Sequence, residues 1–163
     1  MEYKTKQEKV EKLRELIKDI DFAMLTTLDA GGNLRSRPMS TQKAEFDGDV
    51  WFITSDDTTM AAEIRRDNRV NVSYAQPDKQ RYISVSGTAE LIYDRAKIEE
   101  FWSPFYNVYF PNGKEDPNLR LIKIEVDKAE YWDSKGLIPT VIAFAQAMMG
   151  KESELADNEK LTL

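Results

Sequence analysis

Tyr82-Ile83-Ser84-Val85-Ser86-Gly87-Thr88-Ala89-Glu90-Leu91 is the stretch whose reading decides the fold. Ile83, Val85, Gly87, Ala89 and Leu91 fall on one face, and Tyr82, Ser84, Ser86, Thr88 and Glu90 on the other. That period of two belongs to a β-strand with one buried side. Upstream, Pro77-Asp78 marks a turn, and before it Val70, Val72 and Tyr74 alternate with Asn71, Ser73 and Ala75 as another strand. Downstream, Arg95 to Phe101 reads as a short helix. Residues 103–118 hold three of the six prolines and several aromatics, the composition of a packed irregular loop. Ile122, Ile124 and Val126 then alternate with Lys123, Glu125 and Asp127 in a strand that continues to Trp132.

The first third of the chain reads as a helix and a meander. Val10, Leu13, Ile17 and Ile20 make one apolar stripe, and Glu8 with Lys12 forms an i,i+4 pair of favourable orientation. The period then changes. Phe22 to Leu28 is a strand, Asp29-Ala30-Gly31-Gly32 a turn, and Leu34 to Phe46 the partner strand. Asp47-Gly48 is the next turn, and Val50 to Thr54 is rich in β-formers. Thr54 to Thr59 supplies a dense set of capping residues before a short helix from Met60 to Ile64. Near the other end, Pro139 to Met149 reads as a final helix stopped by Gly150, and the tail from Lys151 as polar and frayed.

Six close-spaced strands with few short helices predict an α+β fold built on a small antiparallel barrel or strongly curved sheet. The helices are too few for a parallel doubly wound sheet. One domain over residues 1–150, with a polar tail over 151–163, is the expected organisation.

Composition narrows the chemistry. There are 163 residues, 29 acidic against 23 basic, with no cysteine and no histidine. These zeros exclude disulfides, thiolate nucleophiles, Ser-His-Asp triads and imidazole or thiolate metal sites. Any metal would be a hard cation on oxygen ligands. Redox or group-transfer chemistry would need a borrowed organic cofactor. The net charge of −6 argues against duplex binding. Met1-Glu2-Tyr3-Lys4 opens no apolar leader, and the longest apolar stretch, Leu137 to Met149, is too short for a bilayer. The expected location is therefore the cytoplasm, with no membrane and no nucleic-acid partner.

Three features are candidates for a site. Arg35-Ser36-Arg37-Pro38-Met39 places two guanidinium groups on one side of a strand, about 7 Å apart, a spacing that suits a phosphate. A solvated edge strand carrying charge against edge pairing explains the same residues, and on the residues alone is the commoner case. Phe52-Ile53-Thr54-Ser55-Asp56-Asp57-Thr58-Thr59 is a strand-to-helix junction, receptive to anions through free N–H groups. Helix capping accounts for its Ser, Thr and Asp equally well, and the two aspartates would repel an anion unless they point away. The third feature is aromatic. Trp51 is expected in the core, Trp102 in loop packing with Phe101, Phe105 and Tyr106, and Trp132 in a position to wall off a flat ring. The carboxylate pairs Asp56/Asp57 and Glu99/Glu100 fall on a turn or an exposed helix. No G-x-S-x-G, P-loop or G-x-G-x-x-G is present.

In this order Phe22-Ala23-Met24-Leu25-Thr26-Thr27, Arg35 to Met39, Val50-Trp51-Phe52-Ile53-Thr54-Ser55, Ser84-Val85-Ser86-Gly87 and Ala129-Glu130-Tyr131-Trp132-Asp133 carry a resemblance over roughly Lys9 to Gly150. The chain resembles the general stress protein group of the pyridoxamine 5′-phosphate oxidase-like flavoproteins, which are FMN-binding split β-barrels. The resemblance implies a six-stranded split barrel and a homodimer with two FMN sites at the interface. It implies that Arg35, Ser36, Arg37, Pro38 and Met39 run beside the flavin, with Arg37 near the phosphate. Trp51, Phe52, Ile53 and Thr54 would line the ring, Thr58 and Thr59 would sit by the phosphate, and Trp132 would close the pocket from the partner. Many relatives carry a lysine where this chain has Met60, which leaves FAD or a deazaflavin open as alternatives to FMN. Arg65 or Arg66, one to two helical turns on, would be the substitute cations. The missing histidine sets aside vitamin B6 oxidation and His-ligated haem. What the resemblance implies is a flavin-dependent oxidoreductase on an unknown small molecule, or a non-enzymatic flavin-binding or flavin-sensing stress protein.

Overall fold

The computed structural model describes residues 5–42, 46–133 and 157–163. Helix α1 (Lys6–Ile17) leads into strands β1 (Phe22–Leu28), β2 (Leu34–Ser40) and β3 (Asp49–Ser55), followed by helix α2 (Thr59–Arg66). Strands β4 (Arg69–Gln76) and β5 (Arg81–Ile92), helix α3 (Arg95–Phe101), and strands β6 (Leu119–Asp133) and β7 (Asp157–Thr162) complete the order. The strands form one antiparallel sheet in the order β2-β1-β4-β5-β6-β3. The two end strands of that path, β2 and β3, approach each other, so the sheet curls into a split barrel.

The expected alternation along β5 is present, with Ile83, Val85, Gly87 and Ala89 buried. Gly87 has a further role. A Cβ there would lie 2.1 Å from the Glu125 carbonyl oxygen, where the β5–β6 register shifts. Only glycine lets the two backbones approach so closely at the bulge, and the bulge bends the sheet toward closure.

Strand β6 is long because it serves three partners. One edge pairs with β5 over Leu121 to Asp133; the other pairs with β3 over Leu119 to Glu125 and with β7 over Lys128 to Asp133. The seventh strand corrects the expectation of a frayed tail. Lys160 and Thr162 face solvent while Leu161 is buried in the core, so a segment that reads as polar still supplies one anchoring apolar residue.

Another expectation changes. The second strand ends at Ser40 rather than at Phe46, because the Thr41 amide and hydroxyl turn back onto the carbonyls of Asp21 and Ile20. Pro38 is tolerated because β2 is the edge of the path and needs no ladder partner on its free side. On α1, Glu8 closes a capping box with Thr5, and the Lys12 ammonium lies 5.1 Å from the Tyr131 ring. The expected helix over Pro139 to Met149 lies outside the described residues.

Two apolar clusters result. The interior one joins Leu13 and Leu16 of α1 to Leu25, Phe52, Val72, Val85 and Ile124. The second lies outside β3 and β6, where Ile53, Leu119 and Leu121 pack on Ile98, Phe101, Tyr106 and Phe110. Among the described residues no helix is long and apolar enough to cross a membrane.

Candidate functional site

The barrel is split where β2 and β3 face each other, and a cavity of about 380 Å³ occupies the seam. Pro38, Met39 and Ser40 form one wall. Ile53, Thr54 and Ser55 form the other, with Thr58 and Met60 at the entrance to α2. Phe105, Tyr106, Tyr109 and Phe110, from the proline-rich loop, and Phe22 supply an aromatic rim. A wider groove of about 610 Å³ adjoins the cavity and shares Phe22, Ser40, Phe105 and Tyr106 with it. An apolar slot with a few hydroxyls suits a flat ring system.

The α2 junction is built by local chemistry. The Thr58 hydroxyl accepts from the Ala61 amide at 3.1 Å and donates to the Ser55 carbonyl at 3.0 Å, a side-chain cap that fixes the helix start. The two aspartates are occupied elsewhere. Asp56 is hydrogen-bonded by Arg65 and faces Arg120 at 3.6 Å. The Arg65 bond holds its carboxyl below the usual carboxylate range. Asp57 accepts from the Ser55 hydroxyl at 2.5 Å.

The arginine pair lies beside α2 and converges on one carboxylate. Arg35 and Arg37 donate to the two oxygens of Glu63 at 2.9 Å and 2.8 Å. Thr27 donates to Glu63 at 2.6 Å and accepts from Arg37 at 2.6 Å. Glu63 is only 2% exposed. Burial pushes its pKa up, but the Thr27 hydroxyl and the two guanidinium groups outweigh that and hold the carboxyl below its ordinary value. The cluster keeps one net positive charge, and Arg35 is half-exposed with donors to spare. Glu63 stands three residues after Met60, so the cationic cluster sits about one helical turn, roughly 5 Å, beyond the cavity wall.

Of the residues expected at a site, Pro38, Met39, Ile53, Thr54 and Thr58 line the cavity. Arg35 and Arg37 join the Glu63 cluster next to it. Ser36 hydrogen-bonds Thr26 across the β1–β2 edge, and Thr59 is exposed at the start of α2. Phe52 points into the barrel and is fully buried. Trp51 is half-buried on the outer cluster, its ring centroid 5.9 Å from Phe101 and the Lys97 ammonium 4.9 Å from the ring. Trp102 packs with Tyr106 and Phe110, as its neighbours suggested. Trp132 stands opposite Tyr82, at the end of β6 far from Leu119 and its partner Ser55. One chain does not bring it to the cavity. Neither expected substitute cation is free: Arg65 is taken by Asp56, and Arg66 donates to the Leu28 carbonyl at 3.0 Å. Met60 is itself buried in the cavity wall.

Sequence reasoning missed Glu63, Thr27 and the aromatic rim. The signal for Glu63 was present: it falls between Met60 and Ile64, on the apolar face of a short helix, where a lone carboxylate needs a cation.

Comparisons with known proteins agree with the fold. Protein bli-3 of Neurospora crassa is 28% identical over 153 residues, covering 87% of this chain and 73% of that protein. The general stress FMN/FAD binding protein of Xanthomonas citri is 28% identical and superposes with a TM-score of 0.68, covering 80% of this chain and 92% of that one. General stress protein 26 of Bacillus anthracis superposes with a TM-score of 0.71 at 22% identity, over 94% of this chain and 97% of that one, which speaks to the fold alone. The pyridoxamine 5′-phosphate oxidase like family model matches residues 8–154. Since that match spans most of the chain, the chain belongs to the pyridoxamine 5′-phosphate oxidase-like family.

Proposed function

We propose that this protein binds a flavin mononucleotide in the seam between β2 and β3 and acts as a flavin-dependent oxidoreductase on a small molecule. The observation that carries the reading is the adjacency of two unlike environments. An apolar, aromatic-rimmed slot lies one helical turn from a cluster of two arginines with residual positive charge. A flavin has the matching halves, a flat ring and a phosphate. The donor set fits: the Thr54 hydroxyl and neighbouring backbone for the ring edge, and Arg35, Thr59 and Arg37, which Glu63 holds in place, for the phosphate. The name of the Xanthomonas citri relative, a general stress FMN/FAD binding protein, points the same way.

Bound there, the flavin would supply hydride and electron transfer. The chain's own residues would position the ring between Met39 and Ile53, and Phe105, Tyr106 and Phe110 would exclude water. No carboxylate or amine lines the cavity among the described residues. Proton exchange would therefore pass through water or the substrate rather than a side-chain acid. The same observation favours a second reading, in which the flavin is stored or sensed and not turned over.

We further propose a homodimer. Phe22, Met24, Phe105, Val108 and Tyr109 are exposed apolar side chains around the seam. A second copy covering them could also deliver its Trp132 to the ring, which one chain does not.

Mass spectrometry of the small molecule retained through purification tests the cofactor. FMN is expected; FAD or a deazaflavin would redirect the phosphate assignment, and no flavin would contradict it. Stopped-flow reduction by NADH or NADPH, then reoxidation by an acceptor, separates turnover from storage.

A further inference from the structure

Among the described residues Glu63 is the one charged side chain that is buried, and its carboxylate closes a network rather than a simple pair. Arg37 commits both terminal nitrogens: Nη1 donates to the Thr27 hydroxyl at 2.6 Å and Nη2 to Glu63 Oε2 at 2.8 Å. The Thr27 hydroxyl donates to that same oxygen at 2.6 Å, and Arg35 Nη1 donates to Oε1 at 2.9 Å. Arg37 and Arg35 are the charged groups that act on Glu63, so two positive charges share one negative charge.

The seam cavity beside this network supplies no charge of its own. Among the described residues, none that lines it is ionised at neutral pH. The next cations along α2 are spent, Arg65 on Asp56 and Arg66 on the Leu28 carbonyl. A phosphate at this end of the seam must therefore draw on guanidinium groups that a carboxylate already holds. A phosphomonoester carries about −1.5 to −2 at pH 7, against the one net positive charge of the cluster. Two anions on one pair of donors repel, and each is held less tightly than it would be alone. Arg35 is half-exposed and bonded to Glu63 through one nitrogen, so it is the donor that both anions would share.

We propose, resting on the reading of the seam as a flavin site, that Glu63 is a specificity-determining residue of its phosphate end. It serves the two arginines as counter-ion in the empty seam and competes with a flavin phosphate for them. The ligand class thereby widens to flavins without a phosphate. The ring carries most of the affinity, and the preference for FMN over riboflavin stays small, about tenfold, the scale of one charged hydrogen bond.

The ratio of the riboflavin Kd to the FMN Kd, from flavin fluorescence titrations of the full chain, isolates the phosphate because both ligands share the ring. Glu63→Gln keeps the side chain's shape and one acceptor oxygen but removes its charge. It should raise that ratio at least about tenfold, the scale of a unit charge a few ångströms from another near a protein surface. A merely structural role would weaken both flavins alike and leave the ratio where it was. A smaller rise, or a fall, would overturn the proposal. Should the variant fail to fold, by circular dichroism, the parent decides. A phosphomonoester gains its second charge with a pKa near about 6, while Glu63, held below its ordinary value by Thr27, Arg37 and Arg35, stays ionised. Between about pH 5.5 and 8 the parent ratio should therefore rise by no more than about threefold. A steeper rise would mean that the phosphate meets both arginines unopposed, and would overturn the proposal. A folded parent that binds neither flavin would instead refute the reading of the seam, and the role of Glu63 would fall with it.

Discussion

Glu63 is the residue on which the candidate site turns, since its two oxygens fix both arginines and Thr27. Removing it should leave Arg37 partly buried without a counter-ion. Glu63→Gln is expected to destabilise the fold by about 2–3 kcal/mol, less than for a fully buried pair because Arg35 is half-exposed to solvent; urea unfolding measures it. The pH dependence follows from the lowered pKa. Because the folded carboxyl is more acidic than the unfolded one, the unfolded chain binds more protons in acid. Its stabilisation is present above the unfolded value, about 4.5, and is lost as pH falls through the depressed folded value. A melting-temperature profile should therefore lose part of its acid limb in Glu63→Gln. Arg37→Ala should weaken FMN binding by about tenfold or more while the barrel stays folded, the scale of a charge-assisted hydrogen bond; unchanged affinity would remove its phosphate role. Arg35 and Arg37 were legible in the sequence as a pair on one strand face. Their convergence on Glu63 was not, because it depends on α2 folding back against β1 and β2, a contact that spans 26 residues for Arg37.

At the scale of elements, local patterning determined most of what formed. The alternation in β5, the capping run before α2 and the α3 stretch all appear where the residues put them, since each is decided by neighbours within one or two turns. The elements that differ depend on distant contacts. β2 stops at Ser40 because Thr41 reaches back to Ile20 and Asp21, and β7 exists because β6 runs beyond β3 and leaves an edge open. Gly87 joins both kinds of control, since its place in the alternation hides a steric requirement set by Glu125. Gly87→Ala should cost about 3 kcal/mol or more, as the sheet must shift to relieve a 2.1 Å contact. Thermal melts would show it, and a variant within 0.5 kcal/mol of the parent, roughly the scatter of neutral surface changes, would refute the tight approach.

For the whole molecule, the seam explains why an incomplete barrel is useful. A closed barrel would bury the facing edges of β2 and β3; this one leaves a slot between them, with α2 and its cationic cluster at one end. The slot's rim is exposed aromatic surface, and Trp132 lies at the other end of β6. If a second copy completes the site, Trp132→Ala should alter flavin affinity or fluorescence more than Trp102→Ala, which disturbs only loop packing. Equal effects would place Trp132 outside the site. The absence of histidine and cysteine fits a site whose reactive group is brought in, and the cavity's lack of carboxylates and amines among the described residues extends the same logic to proton transfer. The central claim, that the seam holds a flavin, is tested most directly by equilibrium titration of the purified, folded protein with FMN, followed by quenching of flavin fluorescence. Saturation at one FMN per chain with a Kd at or below about 10 μM is expected for a ring and a phosphate both engaged; a folded protein that leaves FMN fluorescence unchanged at that concentration would contradict it.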